Sequence, residues 1–461
     1  MDKKYTALIA GAIFGILSFF SPGSFFILIL AAASIFFICR IPDRSERDFI
    51  LFIFLAGLII RIALVLVAMS WAVFKGHILD YVTSGCPAYN TPYILDDSGY
   101  YTLRSWFTNM HWSGISMSEF TVKGFVKNTY GFSGFIYILA VFFKMFGYSP
   151  MASRFINCFL GALTGVLVYF TLKSIFNERP AKLAAILTSF FPSLVLWSTT
   201  NLKETAMIFT TCLLLFFLVK FQEKRRIYYL ALALISIIFQ AFIRYSFGLE
   251  FIFITCAIAG VYVFCLYVAN LQSTKRAILI ILIFIIGGLV IFLEKEKVNL
   301  VIDNVSQYIL LQQRGVTNAG GICYKLLPED YYADKKDLEF VDAARMFRNG
   351  WFHIMFEPLP WREQSSKMIA SFPQTVLWYF FIPFAILGVV ILARYRLKES
   401  AFLIAYFFVI TSILAMVGGN IGTIFRLRDI NTPIFLMFSS VGLVNTFSSL
   451  SKTSKTEARR K

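Results

Sequence analysis

Asp96 and Asp97 stand side by side and are followed, after Ser98-Gly99, by Tyr100 and Tyr101. Adjacent carboxylates push each other's pKa values apart, so one of them can take a proton from an attacking hydroxyl. A carboxylate pair can also hold a divalent cation such as Mg²⁺ or Mn²⁺, which commonly binds through one or two carboxylates plus phosphate. The same two residues equally suit a helix N-terminus, where Asp caps backbone N–H groups and meets the positive end of the dipole. A second cluster is Asn201-Leu202-Lys203-Glu204. Asn201 with Glu204 has the spacing of a capping box, and a helix start carrying Lys203 also suits a phosphate. Arg244, Arg426 and Arg428 are further candidates, because a guanidinium fork matches phosphate oxygens. For any one of these cations, pairing with a carboxylate or a lipid headgroup is the plainer expectation. His353 is a candidate proton acceptor or substrate contact.

The elements that must position these residues follow from composition. The chain has 461 residues, 58% of them hydrophobic and only 15% charged, with 52 Phe and a mean hydropathy of +0.72. Soluble domains run at about 45–50% apolar and about 25% charged, which excludes a soluble globular, disordered or disulfide-scaffold protein. The expectation is an all-α polytopic membrane protein with 12–13 transmembrane helices. The net charge of +17 then marks loops facing the cytoplasm and anionic lipid rather than nucleic acid, because no basic domain stands apart from the apolar runs. The seven Cys form no CxxC pair, so no zinc or redox motif is indicated.

The apolar runs are 5–20, 24–39, 49–74, 152–176, 181–197, 203–220, 227–243, 247–269, 277–293, 373–393, 400–418 and 431–449, with a shorter one at 132–147 that carries Lys144. The first two read as a hairpin that stays in the protein rather than as a signal peptide. Basic clusters at Arg40–Arg47, Lys173–Lys182, Lys220–Arg226, Lys275–Arg276 and Arg394–Lys398 fall on one side only if 132–147 is re-entrant or interfacial. That gives twelve crossings with both termini cytoplasmic; thirteen crossings violate the charge rule. The regions are then N-terminal helices at 1–74, a first outer loop with the short segment at 75–151, a transmembrane core at 152–293, a second outer loop at 294–372, C-terminal helices at 373–449, and a polar, disordered cytoplasmic tail at 450–461. The second outer loop reads as a folded cap with short helices such as Leu338–Asn349, and Glu357-Pro-Leu-Pro-Trp361 cannot continue a helix. Arg61 falls near the middle of the third run, where a structural partner or snorkelling is expected. A disulfide between Cys86 and Cys323, one in each outer loop, is compatible with an oxidising exterior.

A multi-span chain whose first large outer loop carries Asp96-Asp97-Ser-Gly-Tyr100-Tyr101 resembles the GT-C glycosyltransferases, the superfamily of the protein O-mannosyltransferases and the lipid A aminoarabinose transferase. Phe146-Gly147 followed by Arg154 and a long apolar helix, and Phe191-Pro192 through Trp197-Ser198 with Lys203-Glu204, add to the likeness. It covers about residues 49–245 and the Arg-bearing last loop. The resemblance implies transfer of a sugar from a polyprenyl-phosphate donor to a glycan, lipid or protein acceptor, in a plasma (inner) membrane with the site facing the periplasm or exterior. It also implies a catalytic carboxylate in the acidic loop, Asp97 before Asp96. Lys203, Arg244, Arg426 and Arg428 would gather around the donor phosphate, with Tyr100 and Tyr101 beside the carboxylates. The chain departs from the best-known members in having two extra N-terminal spans and no large soluble C-terminal domain, which bears on the acceptor. Two other readings compete: a polysaccharide polymerase or ligase acting on a lipid diphosphate glycan, with Arg244 and His353 central, and a lipid or polysaccharide transporter or flippase.

Overall fold

The computed structural model describes residues 22–74, 96–114, 133–243, 255–258, 260–262, 307, 309–311, 313, 323–328, 340–359 and 366–458. Among the described residues the regular structure is helical, with one isolated antiparallel bridge between Cys323 and Asn420. The protein is an all-α, multi-pass membrane protein. Five described helices are long and apolar enough to cross a bilayer, or seven if two bent pairs each count as one span. The expected spans 5–20 and 277–293 lie outside the described residues, as does most of 247–269.

The chain divides into two units, residues 1–253 with 443–461, and residues 254–442. In the first, α1 (Pro22–Cys39), α2 (Arg44–Phe74), α3 (Asp96–Trp112) and α4 (Gly134–Phe146) precede α5 (Pro150–Ile175). Then follow α6 (Glu178–Phe190), α7 (Pro192–Ser198), α8 (Glu204–Lys224) and α9 (Tyr228–Ile243). Helix α5 is the hub, packed by α1, α2, α6 and α8, while α3 lies on α4. Large apolar side chains such as Phe36, Phe37, Phe52 and Ile235 are exposed on the outside of these helices, as a lipid-facing surface requires. The short segment at 132–147 forms the 13-residue α4, about 20 Å long, against a hydrocarbon core of about 30 Å.

The run 181–197 is not one straight span. Pro192 has no N–H to give and pushes Phe191 into extended geometry (φ −63°, ψ 126°), so α6 ends and α7 restarts at a 52° bend. A bend in an apolar interior strands carbonyls that a continuous helix would pair. Arg61, 1% exposed, meets this need. Its Nη1 donates to the Ser189 carbonyl at 2.9 Å and to the Gly57 carbonyl at 2.8 Å, and its Nε donates to Ser198 Oγ at 2.8 Å. The internal partner expected for Arg61 is therefore the broken helix. Gly161 lets the guanidinium in: a Cβ there would stand 2.7 Å from Arg61 Nε and 2.8 Å from Ser198 Cβ.

Helix α5 also sets the depth scale. Near its C-terminal end, Lys173 pairs with Glu46 at 2.6 Å, and Lys220 donates to Ser174 Oγ at 3.1 Å. The basic clusters of α2, α5 and α8 therefore share one end of the unit. Ser153, which bonds Asn201, is near the other end of α5, twenty residues and about 30 Å away.

The second unit contains α10 (Phe340–Phe356), α11 (Ser366–Tyr395), α12 (Leu397–Val417), α13 (Ile421–Arg428) and most of the apolar part of α14 (Thr432–Ala458). The helix expected at Leu338–Asn349 is longer and runs to Phe356, because Gly350 is a packing position rather than a stop: its Cβ would meet the Ala415 backbone of α12. It ends, as expected, at Glu357-Pro358. Its last carbonyls are taken by side chains of other helices. Trp378 Nε1 donates to the Met355 carbonyl at 2.8 Å, Tyr379 Oη to that of Phe356 at 2.5 Å, and Arg428 Nη1 to that of Glu357 at 2.9 Å. Gly388 and Gly442 let α11 and α14 approach, each facing a carbonyl of the other helix. The tail expected to be disordered continues α14 to Ala458. The expected disulfide between Cys323 and Cys86 involves Cys86, which lies outside the described residues.

Two stability measurements in detergent test these locks. Gly161→Ala should destabilise by roughly 1–3 kcal/mol, the usual effect of overpacking. Gly57→Ala should do less, since its Cβ would stand 3.3 Å from Arg61 Nη1 and 3.8 Å from Ala162, looser than the contacts at Gly161. Arg428→Met should cost about 1–3 kcal/mol by orphaning the Glu357 carbonyl, with partial recovery in Arg428→Lys.

Candidate functional site

Helix α3 starts at Asp96, so the acidic pair forms its first turn. The side chains of Asp96, Asp97 and Tyr100 are not among the described ones. Ser98, one residue on, is fully buried and its Oγ accepts the Asn201 N–H at 2.9 Å. One turn later Thr102 Oγ1 accepts from Asn201 Nδ2 at 2.8 Å. Thr102 spends its own hydroxyl proton on the Ser98 carbonyl at 2.7 Å, which leaves the oxygen free to accept.

Asn201 is thereby a junction of three helices. Its Nδ2 also reaches the Pro150 carbonyl at 3.3 Å, and its Oδ1 accepts from Ser153 Oγ at 3.0 Å. The capping box expected for Asn201 and Glu204 is not what forms. The N-cap position of α8 belongs to Lys203, with no side-chain cap bond, because the amide of Asn201 is committed to α3 and α5. The turn before Lys203 is held from the other side by Asn157. Its Nδ2 donates to the carbonyls of Thr200 at 2.7 Å and Leu202 at 3.0 Å.

Lys203 is consequently buried, 6% exposed, with its Nζ 5.5 Å from the centre of the Tyr101 ring. Tyr101 packs edge-on against Phe135 of α4. The first turns of α3, Tyr101 and the turn carrying Lys203 are therefore held together by a polar knot within an apolar protein. Nearby, the Tyr148 and Trp106 rings meet at a 45° tilt with centres 4.6 Å apart, and burial raises the Tyr148 phenol pKa while the Arg154 charge opposes the rise. Sequence reasoning missed Asn157 and the true partners of Asn201. The available signal was an Asn inside an apolar run, since a buried amide must find partners.

The remaining candidates lie in the second unit. His353 Nδ1 is 3.0 Å from Glu357 Oε1, one turn along α10, and the ring stacks on Tyr324 at 3.8 Å. Glu357 Oε2 accepts the Leu359 N–H at 3.0 Å, so the carboxylate is fixed at both oxygens. Tyr324 N–H in turn bonds the Gly419 carbonyl at 2.9 Å, and Asn420 Oδ1 caps α13 through the N–H groups of Gly422 and Thr423. The segment around Tyr324 and the end of α10 thus converge with the loop before α13, bringing His353, Glu357 and Arg428 together. Arg428 is buried between Trp378, 4.2 Å from its guanidinium carbon, and Phe425 at 4.8 Å. Its Nε and Nη2 make no hydrogen bond to a described residue, nor does Asn431 Oδ1, and both residues line one small cavity. Arg426 is half-buried on the same short helix. Arg244 lies outside the described residues. Among the described residues no three His, Cys, Asp or Glu side chains group as metal ligands.

Residues 134–293 match the family model of the dolichyl-phosphate-mannose-protein mannosyltransferases. The match takes in α4 through α9, and with them Asn157, Asn201 and Lys203; it begins after Asp96 and Asp97. Among solved structures, the chain is similar to an oligosaccharyltransferase from Archaeoglobus fulgidus, AglB, in complex with an inhibitory peptide and a dolichol-phosphate. That likeness has 14% identity and a TM-score of 0.48, over 88% of this chain and 52% of that one. The apo form of the Archaeoglobus fulgidus oligosaccharyltransferase gives 13% identity and a TM-score of 0.43, over 88% and 52% of the two chains. The chain spans about half the length of these structures. No curated protein matches it. The family match covers about a third of the chain, and it is a likeness in the same direction as the resemblance to the GT-C glycosyltransferases carried by the sequence.

Proposed function

We propose that the protein is a membrane glycosyltransferase that moves a sugar from a polyprenyl-phosphate donor to a hydroxyl of a glycan, lipid or protein. The observation that carries this reading is the bonding of Asn201 to Ser98 and Thr102, which draws the acidic turn and Lys203 into one constellation. In the reaction, Asp97, or Asp96 in its place, takes the proton of the acceptor hydroxyl. The oxygen bonds to the anomeric carbon as the bond from that carbon to the phosphate oxygen breaks. The electron pair leaves with the phosphate, whose charge Lys203 stabilises at low local dielectric. Tyr100 and Tyr101 flank the carboxylates. Arg244, Arg426 and Arg428 are the further cations proposed for the phosphate. A Mg²⁺ or Mn²⁺ ion held by the acidic pair is the other role proposed for it, recognised by activity that EDTA removes and added metal restores.

The proposed face is the exterior or periplasmic one of the plasma membrane, with cytoplasmic termini. Support comes from α5, whose Lys173 end gathers the basic clusters while its Ser153 end bears the site. The lipid donor explains the location in a bilayer, since its chain can lie among the apolar spans.

With purified protein and a mixed pool of polyprenyl-phosphate sugars, Asp97→Asn should lose at least a hundredfold in transfer rate at wild-type stability. Lys203→Gln should raise the donor KM by ten- to a hundredfold, the worth of a charged hydrogen bond of about 1.5–3 kcal/mol. A second reading, polymerisation or ligation of a lipid diphosphate glycan, is favoured by the His353–Glu357 contact, which orients an imidazole as in a base–carboxylate pair. Full activity in both Asp96→Asn and Asp97→Asn, with loss in His353→Ala, decides for it.

A further inference from the structure

We propose that Asn201 is a positioning residue that sets the acidic first turn of α3 relative to Lys203. This rests on the reading of the acidic pair as catalytic. Asn201 reaches α3 with two hydrogen bonds from the turn carrying Lys203. It is fully buried and lies two residues before Lys203. Its two bonds grip α3 at Ser98 and Thr102, on successive turns, so they fix both the rotation and the height of that helix. Ser98 is adjacent to Asp97, and α3 is a single rigid helix through this stretch. A rotation of α3 by one residue would carry the carboxylates through about 100°, away from any hydroxyl placed against the donor.

The other bonds of Asn201 make it a reference point rather than a hinge. Ser153 and the Pro150 carbonyl hold its amide to the start of α5, and Asn157 clamps the carbonyls on either side, at Thr200 and Leu202. The turn is thus anchored to the hub helix, and α3 is registered to the turn. The inferred division of labour is that α5 supplies rigidity and Asn201 transmits it to α3. A misplacement of about 1 Å in such a constellation is enough to lower a rate a hundredfold.

The decisive variants sit on α3, where folding is least at risk. Thr102→Val removes the acceptor oxygen with little change in shape. Thr102→Ser keeps it. Thr108→Val is the control, because Thr108 makes the same kind of bond to its own helix, to Arg104, at 2.8 Å without touching Asn201. Sugar transfer from the polyprenyl-phosphate pool and the melting temperature in detergent are read for each, with Asn201→Ala and the double variant alongside. The expected result is a fall of at least tenfold in kcat for Thr102→Val, with donor KM within twofold of wild type and a melting temperature matching Thr108→Val. Thr102→Ser should recover most of the rate, and adding Thr102→Val to Asn201→Ala should lose nothing more. Equal kcat in Thr102→Val and Thr108→Val overturns the positioning role. Asp96→Asn and Asp97→Asn are measured in parallel; full activity in both sinks the acidic-pair reading by itself, whatever Thr102 shows.

Discussion

A helix that breaks inside an apolar protein leaves carbonyls that lipid cannot satisfy, and the polar architecture of this chain is organised around two such breaks. At Pro192 the Ser189 carbonyl is taken by Arg61, and the carbonyls of the following turn by Asn157. At Pro358 the closing carbonyls of α10 are taken by Trp378, Tyr379 and Arg428. In both places a proline ends a helix, side chains from distant sequence complete the backbone bonding, and candidate functional residues stand next to the repair. Lys203 follows the first break by eleven residues, and His353 precedes the second by five. The side chains that complete the broken backbone also lock the loops that carry chemistry, so precision at the site is a by-product of satisfying the interior.

Those repairs also separate tasks by depth. Along α5 the Ser153 end meets Asn201 and the acidic helix, Gly161 admits Arg61, and Lys173 pairs with Glu46 at the far end. Arg61 lies about 12 Å from the Ser153 level along the helix, which makes it a structural cation rather than part of the constellation around Lys203. The second unit shows a comparable mixture in one residue. Arg428 caps α10 with one nitrogen, while its Nε and Nη2 make no hydrogen bond to a described residue.

Much of this was legible before any coordinates. Composition specified a helical membrane protein, Pro358 located the end of α10, and the charge pattern singled out one end of the bundle. The bend at Pro192 was visible as a proline, but a single apolar run concealed that it divides the helix. Asn201 was misread because the spacing to Glu204 is a local pattern, whereas the amide's real partners, Thr102 and Ser153, are 99 and 48 residues away. Gly350 resembled a stop and serves close packing on α12 instead. The polar tail carries no Gly or Pro between Leu443 and Ala458, and with nothing to break it the helix continues. Local signals reported the ends of helices well; which distant side chains would meet those ends required the fold.

The most direct test of the central claim is to locate the sugar end of the donor. A polyprenyl-phosphate sugar with a photoreactive group on the sugar, bound to the purified protein and irradiated, should label peptides containing Asp96–Arg104 and Ser198–Glu204. Labelling confined to the peptides around His353–Glu357 and Asn420–Arg428 would contradict the account and move the chemistry to the second unit.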